Sequence, residues 1–279
     1  MTPDYIIIGA MKCGTSTLAA QLGAQAGVFM TSPKEPNFFS DDAVYARGLD
    51  WYANLFATAE PSDIKGEAST HYTKLPDYPQ TMARLVSATS GRPVKLIYLI
   101  RDPLERAKSH YIHEWTQGVI DSDFATALRE HPALVRYGCY GEQATPWVAQ
   151  FGAENLLVLS LEQIKQAPQQ VLDQVGAFLG CDTLIWQNDL KQMNVSSERV
   201  RRMPLQGLLI DNAPARWLRR SLVPQAVRDR VKAGRQLQER PKFPEAERQR
   251  LEAVFAADYA ALCNLIGDRP DLELSYPFL

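Results

Sequence analysis

Tyr5-Ile6-Ile7-Ile8-Gly9-Ala10-Met11-Lys12-Cys13-Gly14-Thr15-Ser16-Thr17 is the stretch that decides the fold. Its first four residues are continuously apolar, which suits a central parallel strand covered on both faces rather than a half-exposed one. Two glycines then bracket a short loop, and a helix is predicted from about Gly14 to Ala26. Strand, glycine loop and helix in this order make an anion site, because loop N–H groups and the helix N-terminus present partial positive charge together. A Walker A loop reads GxxxxGK[ST], with its Lys directly after the second Gly. Here Thr15 takes that place and Lys12 lies three residues upstream. Lys12 would then project from the loop toward a bridging or leaving oxygen, while Thr15, Ser16 and Thr17 add hydroxyls at the helix mouth. The set suits a phosphate ester better than a magnesium triphosphate.

Working outward, short β-rich runs alternate with helical ones. Strands are predicted at Val28 to Thr31, Asp63 to Glu67, Val94 to Ile100 and Leu156 to Ser160. Helices are predicted at Leu49 to Phe56, Asp77 to Thr89, Pro103 to about Trp115, Tyr140 to Phe151 and Pro168 to Leu179, with residues 32 to 47 read as loop. The alternation predicts an α/β, three-layer P-loop-type fold with a mainly parallel central sheet flanked by helices. Ligands of such folds bind beyond the carboxyl ends of the strands. The last third is Arg-rich and broken by prolines. It reads as a C-terminal helical extension, ending in a helix from Pro244 to Ile266 that carries Leu251, Val254, Phe255, Leu262, Leu265 and Ile266 on one face. The expected organisation is one domain over 1–279, a nucleotide-binding core of 1–180 covered by a helix- and loop-rich 181–279.

The 279 residues are 46% apolar and 22% charged, an ordinary globular balance. No run approaches the roughly 18 apolar residues of a membrane span, and the start lacks the pattern of a signal peptide. A soluble, cytoplasmic protein is expected. Cys13, Cys139, Cys181 and Cys263 form no CxxC pair, which argues against a zinc site or a disulfide framework. His110, His113 and Glu114 share one helix but lack a third ligand at a recognised spacing, so no metal is expected. Net charge is −2, yet residues 199 to 242 hold twelve Lys or Arg against three Asp or Glu. That segment, with Trp217, Leu218 and Leu222 among its arginines, could face nucleotide, an anionic acceptor or a membrane surface, or be a solvated basic face. No nucleic-acid-binding module is recognisable.

A second anchor follows the strongest strand. In Arg101-Asp102-Pro103-Leu104-Glu105-Arg106-Ala107-Lys108-Ser109, Asp102 is the predicted N-cap and Pro103 the first helical residue. Arg101 has no such structural explanation; at the carboxyl end of a buried strand it points to the ligand face and favours a planar anion. Lys-x-Gly-Thr-Ser at 12–16, paired with Leu-Ile-Arg-Asp-Pro-x-Glu-Arg-x-x-Ser at 99–109, resembles the sulfotransferase family, especially the branch of heparan sulfate sulfotransferases and many bacterial sulfotransferases. Gly48 to Tyr52, Tyr137 to Tyr140 and Phe178 to Gly180 stand in similar order. The resemblance implies 3′-phosphoadenosine 5′-phosphosulfate (PAPS) as donor and adenosine 3′,5′-bisphosphate (PAP) as product, with no metal. It places the 5′-phosphosulfate on Lys12, Cys13, Gly14, Thr15, Ser16 and Thr17, and the 3′-phosphate on Arg101 and Ser109, with Arg201 and Arg202 closing over it. Cys13 is a small loop residue with no chemistry of its own.

Sulfuryl transfer needs a base for the acceptor proton and positive charge on the leaving phosphate. Lys12 meets the second need. Ser32-Pro33-Lys34-Glu35-Pro36-Asn37-Phe38-Phe39 is similar to the heparan branch segment that carries the base, which implies Glu35. By spacing alone, Glu35 would be a solvated neighbour of Lys34. Glu67 and His71 are acceptor-side candidates, and His71 and His110 are weighed as alternative bases, since small-molecule sulfotransferases use a His. The heparan branch has a Lys after its counterpart of Glu67, where this chain has Ala68, so that branch's acceptor contacts do not carry over. The expected reaction is transfer to a hydroxyl or amine of a carbohydrate, lipid or small metabolite. The alternatives are a P-loop kinase with Asp102 holding magnesium–ATP, and a nucleotide-binding protein without turnover.

Overall fold

The computed structural model describes residues 3–90, 92–181, 183–190 and 239–279. Five parallel strands form one sheet: β1 (Tyr5–Gly9), β2 (Val28–Met30), β3 (Ile64–Ala68), β4 (Lys95–Ile100) and β5 (Leu156–Ser160), in the order β2-β3-β1-β4-β5. Tyr5 to Ile8 and Leu96 to Ile100 have no exposed surface, as expected for central strands covered on both faces. Helices flank the sheet, so the α/β fold class read from the alternation is the observed one. β1 lies between β3 and β4, and the chain leaves β1 and β4 toward opposite sides. The crevice this opens at their carboxyl ends is the expected ligand position.

Helix α1 (Thr15–Gly23) follows β1, and α2 (Asp42–Tyr45) and α3 (Leu49–Asn54) precede β3. The loop expected over 32–47 is thus interrupted by α2, because Asp41 caps it through a 2.9 Å bond from Val44 N–H. Helix α4 (Thr81–Thr89) starts later than predicted. Pro79 biases Tyr78 away from the helical region, which disfavours a helix that starts before it. Helix α5 (Pro103–Gln117) is capped by Asp102, whose Oδ1 accepts from Leu104 N–H at 2.8 Å and Glu105 N–H at 3.2 Å. The short helices α6 (Phe124–Glu130) and α7 (Ala133–Arg136) were not anticipated; neither is long enough for a clear period. Helix α8 (Tyr140–Phe151) matches its prediction, α9 (Leu161–Gln166) opens on a Ser160/Gln163 capping box, and α10 (Pro168–Leu179) matches.

The last helix, α11 (Glu245–Ile266), packs on α8. Leu251, Phe255, Tyr259 and Leu262 are its buried residues, whereas Val254 falls at the edge of the stripe and is 37% exposed, a correction to the predicted face. Residue 139, before α8, contributes no side-chain cap, and α11 supplies it: Asp258 accepts from Gly141 N–H at 2.8 Å and Glu142 N–H at 2.9 Å. Arg201 and Arg202, and nearly all of the basic segment, lie outside the described residues. Loss of the cap in Asp258→Ala should cost about 0.5–2 kcal/mol, lowering the melting temperature by about 1–8 °C, as measured by circular dichroism.

Candidate active site

The phosphate loop is stitched to the end of β4. Ala10 N–H donates to the Leu99 carbonyl at 2.7 Å, and Arg101 Nη1 donates to the Lys12 carbonyl at 3.2 Å. The fully buried Tyr140 of α8 joins the same two segments: its hydroxyl donates to the Arg101 carbonyl at 2.9 Å and lies 3.5 Å from Cys13 Sγ. Cys13 is itself fully buried, and burial pushes its thiol up to about 11, so it stays a neutral packing group under the loop. Lys12 and Gly14 take positive φ angles of 72° and 91°. A Cβ on Gly14 would stand 2.8 Å from Leu161 Cδ1, a side-chain end that can turn away, so it is the positive φ that favours glycine here.

These features fit an anionic ligand. Helix α1 opens with no side-chain cap and no acidic residue in its first turn. Arg101 keeps a buried Nε without a hydrogen-bond partner. Ser109 stands on the buried face of α5, 4% exposed, two turns past Arg101. Asp102, by contrast, uses its Oδ1 to cap α5, which gives this carboxylate a structural role.

The second half of the site hangs on β3. Glu35 N–H donates to the Ala68 carbonyl at 2.9 Å, which sets the loop after β2 beside the carboxyl end of β3. Ser69 N–H donates to the Ile7 carbonyl at 3.0 Å and Thr73 Oγ1 to the Ile8 carbonyl at 3.1 Å, so the Glu35 rim adjoins the phosphate loop. Glu35 accepts from Lys34 Nζ at 2.6 Å and from Thr70 Oγ1 at 3.0 Å. Burial pushes its carboxyl up, but the Lys34 ammonium, the bonds from Lys34 and Thr70 and the charge of Lys74 together hold its pKa below the ordinary value. Glu35 is therefore an ionised, partly exposed carboxylate at neutral pH. It is not the fully solvated one that spacing alone suggests.

Glu67 differs in every respect. It has no exposed surface, and it accepts from Tyr52 OH at 2.9 Å, Tyr72 OH at 2.8 Å and Ser69 Oγ at 2.8 Å. Burial raises its pKa despite these three donors, and the charge of Glu35 adds to the rise. His71 stacks on Tyr78 with ring centroids 4.5 Å apart, and its Nδ1 is buried without a partner. Burial and then the charge of Lys74 bring it down to about 4, so it is neutral at neutral pH. Burial also brings His110 down to about 4; it stacks on Tyr137 and lies 3.5 Å from Glu114. Among the described residues no group of three metal-ligating side chains occurs, and no helix is long and apolar enough to cross a membrane.

Three contributors went unread in the sequence: Tyr140, Thr70 and Lys74, a largely buried cation whose pKa burial lowers. Tyr140 had a signal, standing in the Tyr137 to Tyr140 run. Thr70 and Lys74 had none, since only the turn after β3, the 3-10 segment Thr70–Thr73, brings them to Glu35.

Comparison with known proteins gives one consistent answer. Residues 2–256 match the family described as the sulfotransferase domain. The bifunctional heparan sulfate N-deacetylase/N-sulfotransferase 4 of Mus musculus is 28% identical over 211 residues, covering 64% of this chain and 22% of that protein. The heparan sulfate glucosamine 3-O-sulfotransferase 3B1 of Mus musculus is 30% identical over 192 residues, covering 66% of this chain and 47% of that protein. The chain spans less than half the length of either. A solved sulfotransferase from Alicyclobacillus acidocaldarius shares the fold, with a TM-score of 0.67 over 96% of this chain and 97% of that one at 24% identity. Because a side chain is strained at the φ of Gly14, Gly14→Ala should weaken PAP binding at least about tenfold, a loss of roughly 1.4 kcal/mol. Titration calorimetry checks it.

Proposed function

Since the chain belongs to the sulfotransferase domain family, we propose that it transfers a sulfuryl group from PAPS to a hydroxyl or amine of a carbohydrate, lipid or small-metabolite acceptor, releasing PAP. The observation that carries this reading is Arg101, which ties itself to the Lys12 carbonyl and still holds a buried, unpartnered Nε beside the loop. One guanidinium thus joins the two anion anchors that a nucleotide phosphorylated at both ends requires.

In this reading PAPS, when bound, supplies an activated sulfuryl group on its 5′-phosphate. Lys12, Gly14, Thr15, Ser16 and Thr17 hold that end, with Cys13 packed beneath. Arg101 and Ser109 hold the 3′-phosphate, and Arg201 and Arg202 complete it from the C-terminal part that covers the 1–180 core. Lys12 balances the charge that grows on the leaving phosphate. Glu35, ionised and held by Thr70 in one orientation, takes the proton of the acceptor as its oxygen or nitrogen bonds to sulfur. A carboxylate base fits better than His71, whose imidazole is stacked on Tyr78. Magnesium has no role in this scheme, and a kinase is disfavoured by Thr15 at the Walker lysine position and by the capping role of Asp102.

Two experiments test the reading. Calorimetry should give PAP binding without magnesium and in preference to magnesium–ATP. Glu35→Gln should retain that binding while its turnover falls about 100-fold or more; full activity in this variant overturns the base assignment. A third measurement follows from the ion pair. Lys34 depresses the Glu35 pKa, so in Lys34→Met the acidic limb of kcat/KM should move to higher pH, because the base now protonates more readily. A limb that stays in place would detach Lys34 from the chemistry.

A further inference from the structure

Glu67 is a carboxylate sealed from solvent and, among the described residues, has no cation within ion-pair distance. Such a group is costly to bury, and only hydrogen bonds offset the cost here. Its three donors do not end at Glu67. Ser69 Oγ, which donates to Glu67 Oε2, also accepts from Asn37 N–H at 3.0 Å. The Tyr72 hydroxyl, which donates to Oε1, also accepts from Phe39 N–H at 3.4 Å. Both amides belong to the loop that carries Glu35. That loop has positive φ at Glu35 (60°) and Asn37 (53°), a conformation that Asn tolerates but that is uncommon for Glu and is held there by the surroundings.

We infer that Glu67 is a positioning residue for the base: through Ser69 and Tyr72 it pins the backbone after Glu35, and it does not contact the acceptor. This corrects the expectation that Glu67 faces the acceptor, since a carboxylate without exposed surface cannot touch it. The three hydroxyls all donate to Glu67 and so turn their lone pairs outward. Those lone pairs then take the Asn37 and Phe39 amides. Phe38 and Phe39 pack over the knot against Tyr52 at centroid distances of 4.6 and 5.0 Å and exclude water from it. Tyr52 gives an internal control, because its hydroxyl donates to Glu67 and, among the described residues, makes no hydrogen bond to the loop.

The inference rests on Glu35 being the base, and its test separates the two. Glu67→Gln, Tyr72→Phe, Tyr52→Phe and Glu35→Gln are compared by kcat, KM for PAPS, calorimetric PAP stoichiometry and melting temperature. Displacing a base by a fraction of an ångström to an ångström should lower kcat about 10- to 100-fold in Glu67→Gln. KM for PAPS and one PAP site per chain should be unchanged. Tyr72→Phe should lose several-fold and Tyr52→Phe less than about twofold, at similar melting temperatures, since each removes one hydroxyl of about the same energetic worth. The inference is overturned if Glu67→Gln keeps its kcat, if both tyrosine variants lose equally, or if losses track melting temperature or PAP stoichiometry. Should Glu67→Gln fail to fold, the tyrosine pair decides. Full activity in Glu35→Gln overturns the base reading instead.

Discussion

The hydroxyl of Tyr140 sits where the two anion-binding segments meet. It donates to the carbonyl of Arg101, receives the Arg101 amide at 3.4 Å and touches the Cys13 thiol, so a side chain from α8 closes the gap between the ends of β1 and β4. A parallel sheet alone cannot make this join, because the chain leaves the two strands in opposite directions at the switch point. The phosphate loop holds Lys12 at a φ that a residue with a side chain rarely adopts, and it keeps it because it is tied on several sides. The ties run to the Leu99 carbonyl, to the Arg101 guanidinium and, through Cys13, to Tyr140. Asp258 of α11, capping α8, therefore holds the helix that holds the loop.

The two carboxylates of the other half show how placement alone separates roles. Glu35 and Glu67 both stand at the carboxyl end of β3 and both carry hydroxyl donors. Glu35 also has a lysine at 2.6 Å and an open side, so its proton affinity falls and it can meet a ligand. Glu67 has tyrosines in place of the lysine and no open side, so its proton affinity rises and it can only hold neighbours. Charge at the rim is divided further by Lys74. It depresses the His71 and His110 pKa values along with burial, leaving both imidazoles neutral beside an ionised Glu35.

How much of this the sequence carried follows from the range over which each signal acts. The β1 strand, its glycine loop and the displaced Lys12 are contiguous, and the Asp102-Pro103 helix start is local chemistry, so both anchors were legible. Glu35 was legible through resemblance to a known segment; spacing alone favoured a solvated side chain. Glu67 was legible as a carboxylate at a strand end, yet its burial depends on Tyr52, fifteen residues upstream, and on Tyr72. Nothing in the linear order announces that those rings close over it. The cap on α8 lies 117 residues from the amide it serves, beyond any local pattern.

The same distinction separates the halves of the site by robustness. Donor-side geometry is made largely from main chain: a strand end, a helix mouth and carbonyls held by Arg101 and Tyr140. Side-chain substitutions there act through the few groups that tie it, Arg101 and Tyr140, and through the φ of Gly14. Base-side geometry is made from side chains, with the loop amides of Asn37 and Phe39 resting on a serine and a tyrosine that themselves rest on one buried carboxylate. A buried hydrogen-bonded network of this kind is costly when broken at any member, since each lost partner strands another polar group away from water. Change at this rim is therefore expected in the partly exposed residues around Glu35, such as Lys34, rather than in the knot beneath it. A fold arranged this way leaves the outer face of the rim free to vary while the knot and the main-chain loop stay fixed.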